Sequence, residues 1–571
     1  MARRARRGSL AGVVLVAGVT AGLGFGVTPA GATPNGLEEF YRQRVDWHQC
    51  PEPPPPDPSE QPDPGDGIIV DPWQGQWGQM ECATVTVPLN YRKPSDGRLS
   101  IEVSRIKASD PSRRKGVVLF NPGGPGGGGL SMPLGARKSA LATHFDLIGF
   151  DPRGVGRSSR LQCERIPDNR PRDSRPSDDQ LAAFTAYAQA REDACRRAGG
   201  GIRPFINTAN TARDMDLIRS ALGEKKINYL GYSYGTYLGA VYGSLFPQGL
   251  NRSVLDSSIH PDWLWRDQGK QQSVGNRFNV EQWATWVAER DHVYHLGTTR
   301  DGVLATTEAL AARLATHPVS LNRDRPANWP AYWPRKFDRT ALDMFLAQGT
   351  QPRPVWDVTA EVVAEVRQAA SNGTALSADV STAVGMLYRQ GIRKVDSGVY
   401  DAVTCEADWP TNLDTYYEDM RRYRVEYPYV DGNGSGVIGA APTNCTFRSF
   451  TPPEKLVPLK RDGYPTGVVI QGDGDPATQY DGGPAMAAAL GNQLISVRDS
   501  GQHGHYGSNA CVTDKIDNYL INGVLPPSRS ECASDPRPPV PADGARTPNL
   551  RAQNTKQSRV HDAVEHRSIW R

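Results

Sequence analysis

The stretch Gly231-Tyr232-Ser233-Tyr234-Gly235 stands between an apolar run, Ile227 to Leu230, and a helix-forming stretch, Thr236 to Leu245. A serine at a sharp strand-to-helix turn is held in strained backbone, and the glycines on either side let neighbouring chain pass close by. The pentapeptide alone arises by chance in glycine-rich proteins. It is the strand before it and the helix after it that make Ser233 a candidate nucleophile. A serine hydroxyl is weak without a base, and the base needs a group to orient it, so the acid and the histidine have to be sought downstream, in that order.

Working outward, two further continuous apolar runs end in glycine-bearing turns: Val117 to Phe120 before Asn121-Pro122-Gly123-Gly124, and Leu147 to Phe150 before Asp151-Pro152-Arg153-Gly154. Short buried strands separated by helical stretches predict a parallel sheet with crossover helices. Ser253 to Leu255 extends the series, and the alternating runs Ala83 to Val87 and Leu99 to Val103 predict an antiparallel start. Between 262 and 440 the pattern changes to long helical segments, such as Asp301 to Leu314 and Thr359 to Ala370, with scattered tryptophan and proline. This predicts an inserted helical cap. The strand series resumes at Gly467 to Ile470 and Leu494 to Val497. The fold class is therefore α/β: an α/β-hydrolase fold with a mostly parallel sheet flanked by helices. Its expected parts are a signal peptide (1–32), a proline-rich, surface-lying N-terminal segment (33–80), the first part of the core (81–261), the helical cap (262–440), the C-terminal part of the core (441–533) and a disordered tail (534–571). No internal repeat is visible.

The candidate partners of Ser233 lie just past the carboxyl ends of the last two strands, where an open α/β sheet gathers its ligands. Strand Val468 to Gln471 runs into Gly472-Asp473-Gly474-Asp475-Pro476-Ala477-Thr478, and the strand ending near Arg498 runs into Gly501-Gln502-His503-Gly504-His505. Asp475 is the preferred acid, with Asp473 and Asp256 as alternatives, any of which could instead be an ordinary turn aspartate. His503 is the preferred base and His505 its rival. Asn121-Pro122-Gly123-Gly124-Pro125-Gly126 follows the first parallel strand, where one backbone donor of an oxyanion hole is expected, here Gly124; the other is the amide after the nucleophile, Tyr234. Gly124 to Gly129 also satisfies Gly-x-Gly-x-x-Gly, with Asp151 about 20 residues further on, as a dinucleotide fingerprint asks. Pro125 and the unbroken glycines make a poor helix start, so this reading is the weaker one. No metal is expected: His-Glu-x-x-His is absent, and Asp473-Gly474-Asp475 lacks the other positions of a calcium loop.

The chain has 571 residues, a formal net charge of +3 and 22% charged residues, so no strong field argues for nucleic acid. Arg3, Arg4, Arg6 and Arg7, an apolar stretch from about Leu10 to Val27, and Ala30-Gly31-Ala32 read as a cleavable export signal. A retained membrane anchor is disfavoured by the glycines and Thr20 that interrupt the stretch, and Arg6-Arg7 fits a twin-arginine signal only loosely. No membrane association is expected after removal. Export makes disulfides the default for the eight cysteines, none of which shows Cys-x-x-Cys spacing. Pairing within each region joins Cys50 with Cys82, Cys163 with Cys195, Cys405 with Cys445, and Cys511 with Cys532.

From about Trp47 to Cys532 the sequence resembles the tripeptidyl aminopeptidase and prolyl aminopeptidase group of serine peptidases exported by actinobacteria. The likeness rests on Glu81 to Leu89, Asn121 to Gly126, Asp151-Pro152-Arg153-Gly154-Val155-Gly156-Arg157-Ser158, Gly231 to Thr236, Gly472 to Thr478, and the run from Cys511 through Tyr519-Leu520, Gly523 and Pro526 to Cys532. It implies Ser233, Asp475 and His503 as a triad and release of short N-terminal peptides as the activity. Gln502-His503 stands where that group usually has Gly-His, which keeps His505 open, and Gln479 stands where it usually has proline. An enzyme of this kind must recognise a free α-amine, and Glu406 and Asp408 in the cap are candidates, with solvated acids beside a disulfide as the plainer reading.

The expected protein is a secreted, extracellular, monomeric serine exopeptidase acting on peptides through an acyl-enzyme on Ser233, without cofactor and without nucleic-acid partners. A secreted esterase or lipase with the same triad is the nearest alternative. A catalytically dead binding module is disfavoured because all triad types are present in order.

Overall fold

The computed structural model describes residues 36–53, 72–199, 201–321, 336–391, 398–430 and 434–534, with Arg537 and Asp543. The signal reading, and nearly all of the tail reading, lie outside the described residues. Ten strands form one sheet: β1 (His48–Gln49), β2 (Glu81–Pro88), β3 (Arg98–Ile106), β4 (Val117–Asn121), β5 (Asp146–Phe150), β6 (Ile227–Tyr232), β7 (Leu250–Asp256), β8 (Val468–Gly472), β9 (Gln493–Arg498) and β10 (Arg529–Ala533). Their spatial order is β1-β2-β3-β5-β4-β6-β7-β8-β9-β10. The pairings β1–β2, β2–β3 and β3–β5 are antiparallel, and all from β5 to β10 are parallel.

The apolar runs explain the layering. Every residue of β4, β5, β6 and β8 is buried, so both faces of the sheet need cover. Along β4, Val117 and Leu119 join an apolar cluster with the helices Thr208–Ala221 and Tyr234–Leu245, while Val118 and Phe120 join another with the helix Ala510–Asn522. This alternation is the period-two geometry of a strand.

The cap has its own core, in which Trp283, Leu310, Leu342, Phe345 and Val363 come from helices Arg266–Ala288, Arg300–Thr316, Arg339–Gly349 and Trp356–Asn372. Helix Leu181–Gly199 packs Leu181 and Phe184 against Met420 and Tyr423 of helix Leu413–Glu426, so it lies with the helical layer. Conversely, Val399, Ala402, Val403 and Ala407 pack into the core beneath the sheet.

One expectation needs correction. The N-terminal segment is not merely surface-lying: Leu37 and Phe40 belong to the main core, and Cys50, Trp77 and Met80 form a further buried cluster with Cys82, Leu130 and Leu134. A few large side chains, with the Cys50–Cys82 disulfide and the Arg98 guanidinium 5.2 Å over the Phe40 ring, pin it down. The sheet also gains a strand that no reading of the sequence assigned, β10, a parallel edge strand whose sequence, Arg-Ser-Glu-Cys-Ala, buries only Cys532. The described disulfides are Cys50–Cys82, Cys163–Cys195, Cys405–Cys445 and Cys511–Cys532. Among the described residues no helix is long and apolar enough to cross a membrane.

Candidate active site

Ser233 occupies the single residue between β6 and helix Tyr234–Leu245, with φ 56° and ψ −127°. This is a costly conformation for a residue with a Cβ, and the surroundings enforce it. The Ser233 amide donates to the Asp256 carbonyl at 3.0 Å, which ties the turn to the end of β7. The neighbouring glycines allow close approach. A Cβ on Gly123 would lie 2.5 Å from the Tyr232 carbonyl oxygen and 2.8 Å from the Ser233 Cβ. The first glycine after β4 is therefore pressed against the elbow, 3.1 Å from the Tyr234 amide by the same measure, with exposed Gly124 next along the chain.

Asp475 and His503 are brought together. The His503 Nδ1 lies 3.0 Å and 2.9 Å from the two Asp475 carboxylate oxygens. The carboxylate is buried and also accepts from the Ala477 amide (2.9 Å), the Thr478 amide (3.0 Å) and the Thr478 hydroxyl (2.9 Å). Burial alone would raise this acid. The His503 ring and the Thr478 donors outweigh it and hold the carboxyl below its ordinary value. A carboxylate on Nδ1 fixes the ring and leaves Nε2 as its other functional nitrogen.

The alternatives have other places. Asp473 accepts from the Ser500 amide at 2.7 Å. Asp256 accepts from the His505 amide (3.0 Å) and the Tyr506 amide (2.7 Å), and the neighbouring Ser257 hydroxyl accepts from the Gly504 amide at 2.8 Å. The end of β7 thus fastens the loop that carries His503. His505 is 1% exposed, its two ring nitrogens meet no hydrogen-bond partner, and burial pushes its imidazole down. The His503 side chain, by contrast, is 28% exposed. Thr478, which with Pro476 favours Asp475 over Asp473 in the sequence, proves to be a donor to that carboxylate; Ser257 has no local signal.

The dinucleotide reading is overturned. The Asp151 carboxylate points inward, accepting from the amides of Gly129 (3.0 Å), Leu130 (3.3 Å) and Arg157 (2.8 Å), so it braces the glycine-rich loop and is not turned out to a ribose. Burial pushes Asp151 up to about 6.

The two cap acids part company. Asp408 is exposed. Glu406 reaches the start of helix Thr208–Ala221, accepting from the Thr208 amide at 2.8 Å and its hydroxyl at 2.7 Å. That hydroxyl lies 3.0 Å from the Tyr234 phenol, whose ring is 5.7 Å from Trp265. Burial pushes Glu406 up to about 7. A small cavity beside it is lined by Asn207, Tyr237, Glu454 and Leu456, among others. Among the described residues no group of three or more His, Cys, Asp or Glu could hold a metal ion.

Comparison with known proteins bears on this geometry. The family model for the alpha/beta hydrolase fold matches residues 116–507. Tripeptidyl aminopeptidase of Streptomyces lividans is 34% identical over 485 residues, covering 80% of this chain and 85% of that protein. Serine protease Hip1 of Mycobacterium tuberculosis is 27% identical over 475 residues, covering 80% of this chain and 88% of that protein. A Mycobacterium tuberculosis protein named Carboxylesterase B is 28% identical over 465 residues, covering 79% and 86%.

Proposed function

Since the chain belongs to the α/β-hydrolase family, among the serine peptidases related to tripeptidyl aminopeptidase, we propose that it is an exported exopeptidase that releases short peptides from free N-termini. The observation that carries the catalytic reading is the Asp475–His503 contact, with both carboxylate oxygens within 3.0 Å of Nδ1, past the ends of β8 and β9 on the same edge of the parallel sheet as Ser233 at the end of β6. His503 takes the Ser233 proton through Nε2, and Ser233 Oγ attacks the scissile carbonyl. The Gly124 and Tyr234 amides stabilise the oxyanion. The imidazolium then protonates the leaving amine, and water, deprotonated by the same histidine, releases the N-terminal fragment from the ester. Asp475 stays ionised throughout and holds the ring.

Export is supported by the four disulfides, which persist in oxidising compartments, and by the basic and apolar N-terminus. Glu406 is the proposed acceptor for the substrate ammonium: a desolvated carboxylate beside the Tyr234 ring gains most from a cation. Asp408, on the exposed side, has no such place.

The test is hydrolysis of a chromogenic tripeptide with a free amine against its N-acetylated form. The proposal predicts cleavage of the first and a loss of about 10²-fold or more on acetylation, because a buried charge left unpaired is costly. Equal turnover of both would contradict it. The likeness to a protein named Carboxylesterase B favours a second reading, an esterase with the same triad; rapid cleavage of simple esters with neither tripeptide cleaved would select that reading.

A further inference from the structure

The acid and the base sit on two loops, one leaving β8 at Gly472 and one leaving β9 at Arg498. The loops are bonded to each other: Asp473 accepts from the Ser500 amide through its carboxylate (2.7 Å) and from the Gly501 amide through its carbonyl (2.9 Å). Over this seam lies Arg353, a cap residue 5% exposed, in the turn before helix Trp356–Asn372. Its Nε donates to Asp499 Oδ1 at 3.1 Å, at the start of the histidine loop. Its Nη1 donates to Asn279 Oδ1 at 2.9 Å and to the Thr350 and Gln351 carbonyls at 3.1 Å and 3.2 Å. Asn279, from cap helix Arg266–Ala288, donates in turn to the Gly474 carbonyl at 2.8 Å, one residue before Asp475.

Both loops make room for this guanidinium with glycine. A Cβ on Gly474 would lie 2.7 Å from Arg353 Nη2, and a Cβ on Gly501 would collide with the same guanidinium and with the Gln351 carbonyl. Both glycines have positive φ, 68° and 63°. Arg353 lies 4.8 Å over the Trp356 ring, and Arg537, beyond β10, covers that ring at 4.2 Å and pairs with the other oxygen of Asp499. A planar fork with several fixed donors suits such a junction, where a lysine would supply only a point charge.

We propose that Arg353, acting with Asn279, is a positioning residue through which the cap sets the spacing of Asp475 and His503, so that the cap completes the triad as well as roofing it. The proposal rests on the triad reading of Ser233, Asp475 and His503. A misplacement of about 1 Å in a catalytic group costs about 10²-fold in rate, which is the scale a loosened seam can reach.

The experiment compares wild type with Arg353→Lys, Arg353→Met, Asn279→Ala and Ser233→Ala, each checked for folding by circular dichroism. The substrates are the free tripeptide and a small activated ester that needs few cap contacts. Positioning predicts that kcat falls about 10–100-fold on both substrates in Arg353→Met, with the tripeptide KM changed by less than about threefold. The acid limb of the pH–rate profile should move with it, and Arg353→Lys should recover only part of the loss. If Arg353→Met does not fold, Asn279→Ala, which removes the donor to Gly474, carries the same expectation at smaller size. Loss confined to the tripeptide KM with ester turnover intact, or wild-type kcat in the folded variants, would overturn the proposal. Activity surviving in Ser233→Ala would instead sink the triad reading on which it stands.

Discussion

At the scale of single residues, two carboxylates, Asp475 fully buried and Glu406 half-buried, behave in opposite ways, and the difference lies in their partners. Asp475 is held below its ordinary value because the His503 ring and the Thr478 donors offset its burial. Glu406 has the Thr208 donors, and burial outweighs them, pushing it up to about 7 from 4.5. The native state therefore binds more protons than the unfolded chain across that interval, and the stability linked to Glu406 is fully present below about 4.5 and lost as pH rises through about 7. Glu406→Gln is expected to flatten the fall in unfolding free energy between those pH values, measured by urea denaturation; an unchanged slope would contradict the assignment. Asp475 has the reverse linkage, with its contribution present above the ordinary carboxylate range and lost as pH falls through its lowered value. The types and order of Ser233, Asp475 and His503 were legible in the sequence because each ends a recognisable strand. His503 was preferred there over His505, but what separates the two was not legible. It depends on Asp256, about 250 residues earlier in the chain, gripping the amides of His505 and Tyr506 so that one imidazole turns inward and the other reaches Asp475.

At the scale of elements, what could be read followed burial. Strands covered on both faces, such as Val117 to Phe120, announce themselves as continuous apolar runs. The edge strand β10 does not: a parallel edge pairs through backbone groups, and Arg529-Ser530-Glu531-Cys532 carries no pattern that demands it. The N-terminal segment misled for the converse reason, since proline-rich composition says nothing of the few large side chains, Phe40, Trp77 and Met80, that bury themselves against residues of the sheet. The turn after β4 gives the sharpest prediction at this scale. Gly123 has φ 94° and no room for a methyl group between the Tyr232 carbonyl and the Ser233 Cβ. Gly123→Ala should push the glycine loop off the elbow and cost about 10²–10³ in kcat, the scale of losing an oxyanion donor. Its folding, followed by circular dichroism, should change little; wild-type kcat in this variant would show that the loop does not serve the reaction.

At the scale of the whole molecule, the parallel sheet brings four loop-bearing strand ends, those of β4, β6, β8 and β9, to one edge, and the cap closes over them through polar contacts that reach the loops themselves. Gln268 donates to the Ala477 carbonyl at 2.8 Å, two residues beyond Asp475, just as Asn279 holds Gly474 one residue before it. The long helices between 262 and 440 were legible from their change of period, but not these contacts, because they join side chains to backbone carbonyls across about 200 residues of chain. The proposed reaction depends above all on Ser233 being a nucleophile activated by His503. The most direct measurement is the rate and position of covalent labelling by a fluorophosphonate, read by intact mass and peptide mapping in wild type, His503→Ala and His505→Ala. The account predicts one adduct, on Ser233, formed at least about 10²-fold more slowly in His503→Ala, and at a rate near wild type in folded His505→Ala. An adduct on another residue, or equal slowing by the two folded histidine variants, would contradict it.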